Sequence, residues 1–216
     1  MSHWRKQQGQ DTYFRQAKTD GYRARSAYKL LQIQEKFRII RAGDVVVDLG
    51  AAPGSWSQAA VTLVKRHGRV IALDLQEIAP MPGVTVMQGD MTTAAVQDAV
   101  AEAAGGSVDV VLSDAAPSAS GIRDRDHALS MNLAEAARMV ARRLLRTGGH
   151  LIIKIFEGPD LQPFVKETRS DFKSVRVFAP AASRKESRET FLIAQHYQGK
   201  PSPEPEVQED AFDVES

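Results

Sequence analysis

From Val45 onward, short runs of β-branched residues alternate with longer stretches whose apolar residues recur at helical spacing, and this alternation limits the fold more than any other feature. Strands separated by helices return parallel to one another, so the pattern predicts a parallel sheet with helices packed on it. The runs place strands at Val45–Leu49, Arg69–Leu73, Val84–Gln88, Val108–Ser113, His150–Phe156, Ser174–Phe178 and Thr190–His196. Between the fourth and fifth, Asp126–Arg146 carries Leu129, Leu133, Ala136, Ala137, Val140 and Leu144 at a spacing that predicts a helix with one buried face, ended by Gly148 and Gly149. Ahead of the sheet, Ser26–Phe37 sets Ala27, Leu30, Leu31 and Phe37 on a similar stripe, which predicts a helix docked on the body. The expected class is α/β, Rossmann-like, with a mostly parallel seven-stranded sheet and helices on both faces.

With 216 residues, 43% of them hydrophobic, the chain can bury one substantial core. Its net charge of +1 conceals a polarity. Residues 1–41 hold ten Lys/Arg against three Asp/Glu, or +7, whereas residues 201–216 hold six acidic residues and no basic one, or −6. The expected organisation is therefore a basic N-terminal arm and helix over 1–41, the sheet domain over 42–197, and an acidic, Pro-punctuated, disordered tail over 198–216. A basic arm suits contacts to a polyanion's phosphates, for which the tail is expected to compete. The absence of cysteine excludes disulfides and thiolate sites, and the five histidines are scattered, so no metal is expected. No apolar run approaches a bilayer-spanning length, and Met1 to Gln10 lack the apolar stretch of a secretory signal. A soluble, cytoplasmic monomer with no membrane partner is expected.

The first predicted strand runs into Asp48-Leu49-Gly50-Ala51-Ala52-Pro53-Gly54-Ser55-Trp56, a turn of small residues that leads into a helix and lets a ligand approach the backbone. Its Gly50-x-x-x-Gly54 spacing departs from the G-x-G-x-x-G of a pyrophosphate cradle, which argues against a nicotinamide dehydrogenase. Asp74, Asp90 and Asp114 close the second, third and fourth strands. Any one strand-end Asp is ordinarily a turn or cap residue, but three in the crevice where open sheets bind ligands favour a nucleoside with a cationic group. S-adenosylmethionine is such a ligand. Lys154 interrupts the apolar run Leu151–Phe156, where an ammonium is costly unless the strand end opens into a cleft or the charge is paired. Taken alone, Lys29 reads as a solvated helix residue and Glu189 as an ordinary salt-bridge partner.

In order along the chain, Arg23-Ala24-Arg25-Ser26-Ala27-Tyr28-Lys29-Leu30, Asp48-Leu49-Gly50-Ala51-Ala52-Pro53-Gly54, Ser113-Asp114-Ala115-Ala116-Pro117, Lys154-Ile155-Phe156 and Ser187-Arg188-Glu189 resemble the FtsJ-type (RrmJ, RlmE) family of ribose 2′-O-methyltransferases, from about Tyr13 to His196. Ser55 departs from the family's usual second glycine. The resemblance implies a catalytic tetrad of Lys29, Asp114, Lys154 and Glu189, and cofactor contacts at Gly54, Trp56, Asp74, Asp90 and Asp114. It implies S-adenosylmethionine-dependent 2′-O-methylation of a uridine in the A-loop of 23S ribosomal RNA, in the assembled 50S subunit. Transfer RNA, an mRNA cap, or a noncatalytic role in ribosome assembly are the alternatives. Lys154 is then the proton acceptor or a charged stabiliser of the developing alkoxide, Asp114 holds it and meets the cofactor, and Glu189 positions Lys29 or the ribose. RNA is expected across Arg15, Lys18, Arg23 and Arg25 on one side and Arg184, Lys185 and Arg188 on the other.

Overall fold

The computed structural model describes residues 12–117, 120–183 and 187–199. Arg184, Lys185, the first eleven residues and the acidic segment from 200 onward lie outside the described residues. Two helices, α1 (Thr12–Thr19) and α2 (Ala27–Phe37), precede β1 (Val45–Leu49). There follow α3 (Ser55–Val64), β2 (Arg69–Asp74), β3 (Val84–Gln88), α4 (Ala94–Ala104), β4 (Val108–Ser113), α5 (Arg123–Leu144), β5 (Leu145–Phe156), α6 (Leu161–Thr168), β6 (Phe172–Phe178) and β7 (Glu189–Tyr197). The sheet order is β3-β2-β1-β4-β5-β7-β6. The first five strands are mutually parallel, and β7 runs antiparallel to both β5 and β6.

Both faces of the sheet are covered, which is why β1 and β4 read as mostly apolar runs, broken only by Asp48 and by Asp109 and Ser113, rather than as alternating ones. On one face Val46, Val70, Val110, Leu112, Ile152 and Ile193 pack against Ala27, Leu30 and Ile33 of α2 and Ala59, Ala60 and Val64 of α3. On the other, Val47, Leu49, Ile71, Val111, Leu151 and Ile153 meet Val100 and Ala104 of α4, Ala134 to Leu144 of α5, and Phe164 and Val165 of α6. The strand order reverses between β1 and β4, and open sheets of this kind bind ligands at that switch point, outside the strands' C-terminal ends. Among the described residues no helix is long and apolar enough to cross a membrane.

The largest departure from the expected boundaries, which otherwise shift by one or two residues, is at the junction of α5 and β5. The helix expected over Asp126–Arg146 begins at Arg123 and stops at Leu144, and Leu145 already pairs with Val108 as strand. The register slips between Val108 and Val110, so residues 146–149 form a bulge on β5. Gly148, at φ +86°, and Gly149, where a Cβ would stand 3.0 Å from the Asp109 carbonyl oxygen, serve that bulge rather than a helix end.

Candidate active site

Antiparallel β7 begins where parallel β5 ends, so its first residue, Glu189, lies opposite Phe156 at the C-terminal edge of the sheet. In the same register Phe191 faces Lys154. Parallel pairing of Ser113 with Ile153 brings the next residues, Asp114 and Lys154, side by side. Lys154, on β5 and buried, donates from Nζ to the Asp114 main-chain oxygen at 2.5 Å and lies 3.0 Å from Asp114 Oδ1. The latter contact is an ion pair lacking hydrogen-bond alignment, which leaves Asp114 Oδ1 a buried acceptor with no hydrogen-bond partner. From the face covered by α2, buried Lys29 reaches Glu189, with Nζ 2.5 Å from Oε1, and its ammonium sits over the Phe191 ring at 5.9 Å. Burial raises the Glu189 pKa, but the adjacent Lys29 charge and hydrogen bond outweigh it, with help from Lys154, and hold the carboxyl below its ordinary value. The four residues of the expected tetrad thus form two neighbouring, oppositely charged pairs.

A cleft of about 680 Å³ opens beside the Asp114–Lys154 pair and runs over the ends of β1 to β4. Asp74, Glu77, Asp90 and Asp114 line it against one cation among the described residues, Lys154, a balance that suits a positively charged ligand. Asp74 closes β2 with Oδ2 accepting from the Ala52 N–H (2.9 Å) and Oδ1 from the Gln76 N–H (2.8 Å), which fixes the β1 turn to the β2 end. Its remaining lone pairs can still receive donors from a ligand. At the far side, Asp90 accepts from the Thr92 N–H and hydroxyl, and these bonds keep its carboxyl below the usual range. Gly50 lines the cleft where a Cβ would stand 2.5 Å from that of Ala115, so the turns after β1 and β4 close together only around glycine. A smaller hollow of about 270 Å³, lined by Arg25, Lys29, Ser187 and Glu189, lies at the other ion pair.

Of the expected cofactor residues, Asp74, Asp90 and Asp114 line the cleft, whereas Gly54 and the Trp56 side chain do not. The Trp56 indole is buried away from the cleft lining, stacked on Phe191 with ring centroids 5.6 Å apart and donating from Nε1 to the Ser26 carbonyl at 2.8 Å. It fastens α3 to α2 and to β7, because a residue at the first turn of a helix behind the loop faces the sheet as readily as the ligand. Gly54, at φ +105°, packs against Met81, whose Cε a Cβ would meet at 2.3 Å, and does not line the cleft. Ser55, in place of a second glycine, turns its hydroxyl to that of Ser26 at 2.7 Å.

Arg23 also corrects an expectation. Rather than standing free for phosphate, its guanidinium donates to the carbonyls of Pro53 (2.9 Å), Ala79 (2.7 Å) and Pro80 (2.9 Å), while its N–H donates to Gln58 Oε1 (2.8 Å). The arm thereby clamps the loop that borders the cleft. Arg25 is likewise engaged, donating to the Ala182 carbonyl and lying over the Tyr13 ring, whereas Arg15, Lys18 and Arg188 are exposed. Beyond the expected set, sequence reasoning missed Arg23 as a clamp and Asp48 as a buried titratable group. An acidic residue inside the run Val45–Leu49 was a visible signal for the latter.

The family model described as FtsJ-like methyltransferase matches residues 22–197. A protein of Methanothrix thermoacetophila named ribosomal RNA large subunit methyltransferase E is 51% identical over 183 residues, 85% of this chain and 71% of that protein. Proteins of the same name from Methanothermobacter thermautotrophicus and Pseudomonas fluorescens are 45% identical over 199 residues and 46% over 198, each covering 91% of this chain and 94% and 95% of theirs. A crystal structure of a Plasmodium falciparum protein described as a ribosomal RNA methyltransferase superposes with a TM-score of 0.75 at 26% identity, over 83% of this chain and 100% of that one. A model match over most of the chain, near full-length identities of this size and the superposition on a solved structure lead to one conclusion: the chain belongs to the FtsJ-like methyltransferase family.

Proposed function

We propose that the protein methylates a ribose 2′-hydroxyl of large-subunit ribosomal RNA from S-adenosylmethionine, at a uridine of the 23S A-loop in the assembled 50S subunit. The observation that carries this reading is the meeting of two ion pairs, Asp114–Lys154 on the acidic cleft and Lys29–Glu189 on the hollow beside it. The names of the full-length relatives favour ribosomal RNA over transfer RNA or an mRNA cap.

The cleft fits the methyl donor on two counts: its volume lies within the range usual for ligand sites, and its lining is acidic. Asp74, Asp90, Asp114 and the backbone of the Gly50–Gly54 turn would hold it. When bound, S-adenosylmethionine supplies a methyl group made electrophilic by its sulfonium. The chain's own residues do the rest. Orientation is the larger contribution, since holding two reactants in place removes on the order of 7–11 kcal/mol from a barrier. Lys154, held by Asp114, faces the ribose hydroxyl and either receives its proton or, staying charged, stabilises the alkoxide as it forms. Glu189 fixes the Lys29 ammonium, and the pair positions the ribose. Exposed Arg15, Lys18 and Arg188 contact phosphates, which orient the RNA without reading its sequence.

The test is transfer of labelled methyl from S-adenosylmethionine to large subunits isolated from cells lacking the gene, followed by alkaline hydrolysis. A 2′-O-methyl blocks cleavage at its own phosphodiester, so the label is expected in one alkali-stable dinucleotide that contains an A-loop uridine. Label on a base, or none on any RNA, overturns the reading.

A further inference from the structure

Three carboxylates share one face of the sheet at its switch point. Parallel register sets Asp48 of β1 beside Ala72 of β2 and Leu112 of β4. Strand alternation then puts Asp74 and Asp114 on the same face, one step nearer the C-terminal edge. Asp74 has two main-chain N–H donors and Asp114 has the Lys154 ammonium of β5. Asp48, fully buried beneath them, receives donors from Ser57 of α3 alone among the described residues: the hydroxyl donates to Oδ2 at 2.6 Å, the Ser57 main-chain N–H adds a weaker bond, and Oδ1 has no hydrogen-bond partner. A carboxyl so enclosed, with two carboxylates above it and no cation paired with it among the described residues, holds its proton to higher pH than an ordinary carboxyl. Burial first, then repulsion from Asp114 and Asp74, pushes it up to about 7 against the pull of Ser57.

The next step rests on the reading that the cleft takes S-adenosylmethionine. That donor carries a permanent sulfonium charge which its thioether product lacks. A cation above Asp48 favours its carboxylate, and a neutral sulfur does not. We propose that Asp48 is a positioning residue that ties one proton to the charge of the methyl donor, releasing it to solvent when the sulfonium ligand binds and recovering it once only the thioether remains. Over a full turnover Asp48 ends as it began, and the one proton lost is that of the ribose hydroxyl. The site consequently prefers donor over product more strongly as pH rises, and it loosens on the product.

Calorimetric titration of the purified full chain with S-adenosylmethionine and with S-adenosylhomocysteine, in two buffers of different ionisation enthalpy, measures the protons released. At pH 7 the wild type is expected to release roughly half a proton more with the donor, and the donor-to-product affinity ratio to rise about tenfold from pH 6 to 8. In Asp48→Asn, which keeps an acceptor for Ser57, the extra proton is expected to vanish and the ratio to change less than about twofold. Equal proton release for the two ligands in the wild type, or an undiminished difference in Asp48→Asn, overturns the proposal. Should that variant fail to fold, Ser57→Ala removes the stronger of the two Ser57 hydrogen bonds favouring the carboxylate and is expected to shift the rise in the ratio to higher pH, whereas an unmoved rise overturns it. If neither ligand binds, the donor reading itself falls and this inference with it. If both bind without differential proton release, only the role of Asp48 falls.

Discussion

The Lys29 ammonium and the Glu189 carboxylate stand 2.5 Å apart with side chains only 11% and 10% exposed, joining the pre-sheet helix to the start of the last strand. Removing one member of a buried pair strands the other's charge, so Glu189→Ala is expected to lower unfolding free energy by roughly 3–5 kcal/mol, while Lys29→Met with Glu189→Met recovers most of that loss and remains inactive. The Glu189 carboxyl is depressed below its ordinary 4.5, so the pair's contribution is full above that value and is lost as pH falls through the folded value. Urea unfolding of the three proteins at pH 7 and at pH 3 checks both statements. An equal loss in the single and double variants would contradict them.

Asp48 has the opposite sign. Its folded value, about 7, exceeds its ordinary 3.8, so the folded state holds the extra proton and stability declines as pH rises across that interval. Asp48→Asn removes the decline and is expected to gain on the wild type, by on the order of 4 kcal/mol, between pH 4 and pH 8. Thermal unfolding of both proteins across that range measures the gain, and parallel curves would count against the assignment.

Arg23 holds three carbonyls on two sides of the cleft's border. Losing these charge-assisted bonds frees the loop, so Arg23→Ala is expected to weaken methyl-donor binding about tenfold to a hundredfold. RNA affinity in the absence of donor should change far less. Equilibrium binding of each ligand separates the two, and the reverse ranking would return Arg23 to the phosphate contacts first expected for it.

For the exposed cations the expectation is electrostatic. Substituting Arg15, Lys18 or Arg188 by Gln should each reduce the slope of log affinity for RNA against log salt by about 0.7–0.9. A slope unchanged by all three substitutions would place the RNA on another surface.

The strands could be read from the sequence because β-branched runs bounded by turns have few other uses, whereas the tetrad came only with the family resemblance, since Lys29 and Glu189 taken alone read as ordinary surface charges. What escaped depends on contacts between distant segments. The purpose of Arg23 is set by carbonyls near residue 80, and no local pattern distinguishes a clamp from one more cation in a basic arm. The cofactor contact at Trp56 was implied by the resemblance alone, and no local pattern foretells that the first turn of α3 sends its ring to Phe191. Gly148 and Gly149 punctuate a bulged strand as well as they would end a helix, and only pairing of Leu145 with Val108 decides between the two.

In the proposed function Lys154, held by Asp114 at the cleft, acts in the transfer itself. Single-turnover methylation of gene-deficient large subunits by Lys154→Ala, with S-adenosylmethionine affinity measured on the same preparation, tests it most directly. The account predicts a rate lower by about a hundredfold or more, with donor affinity within about threefold of wild type. Wild-type turnover by Lys154→Ala would contradict it.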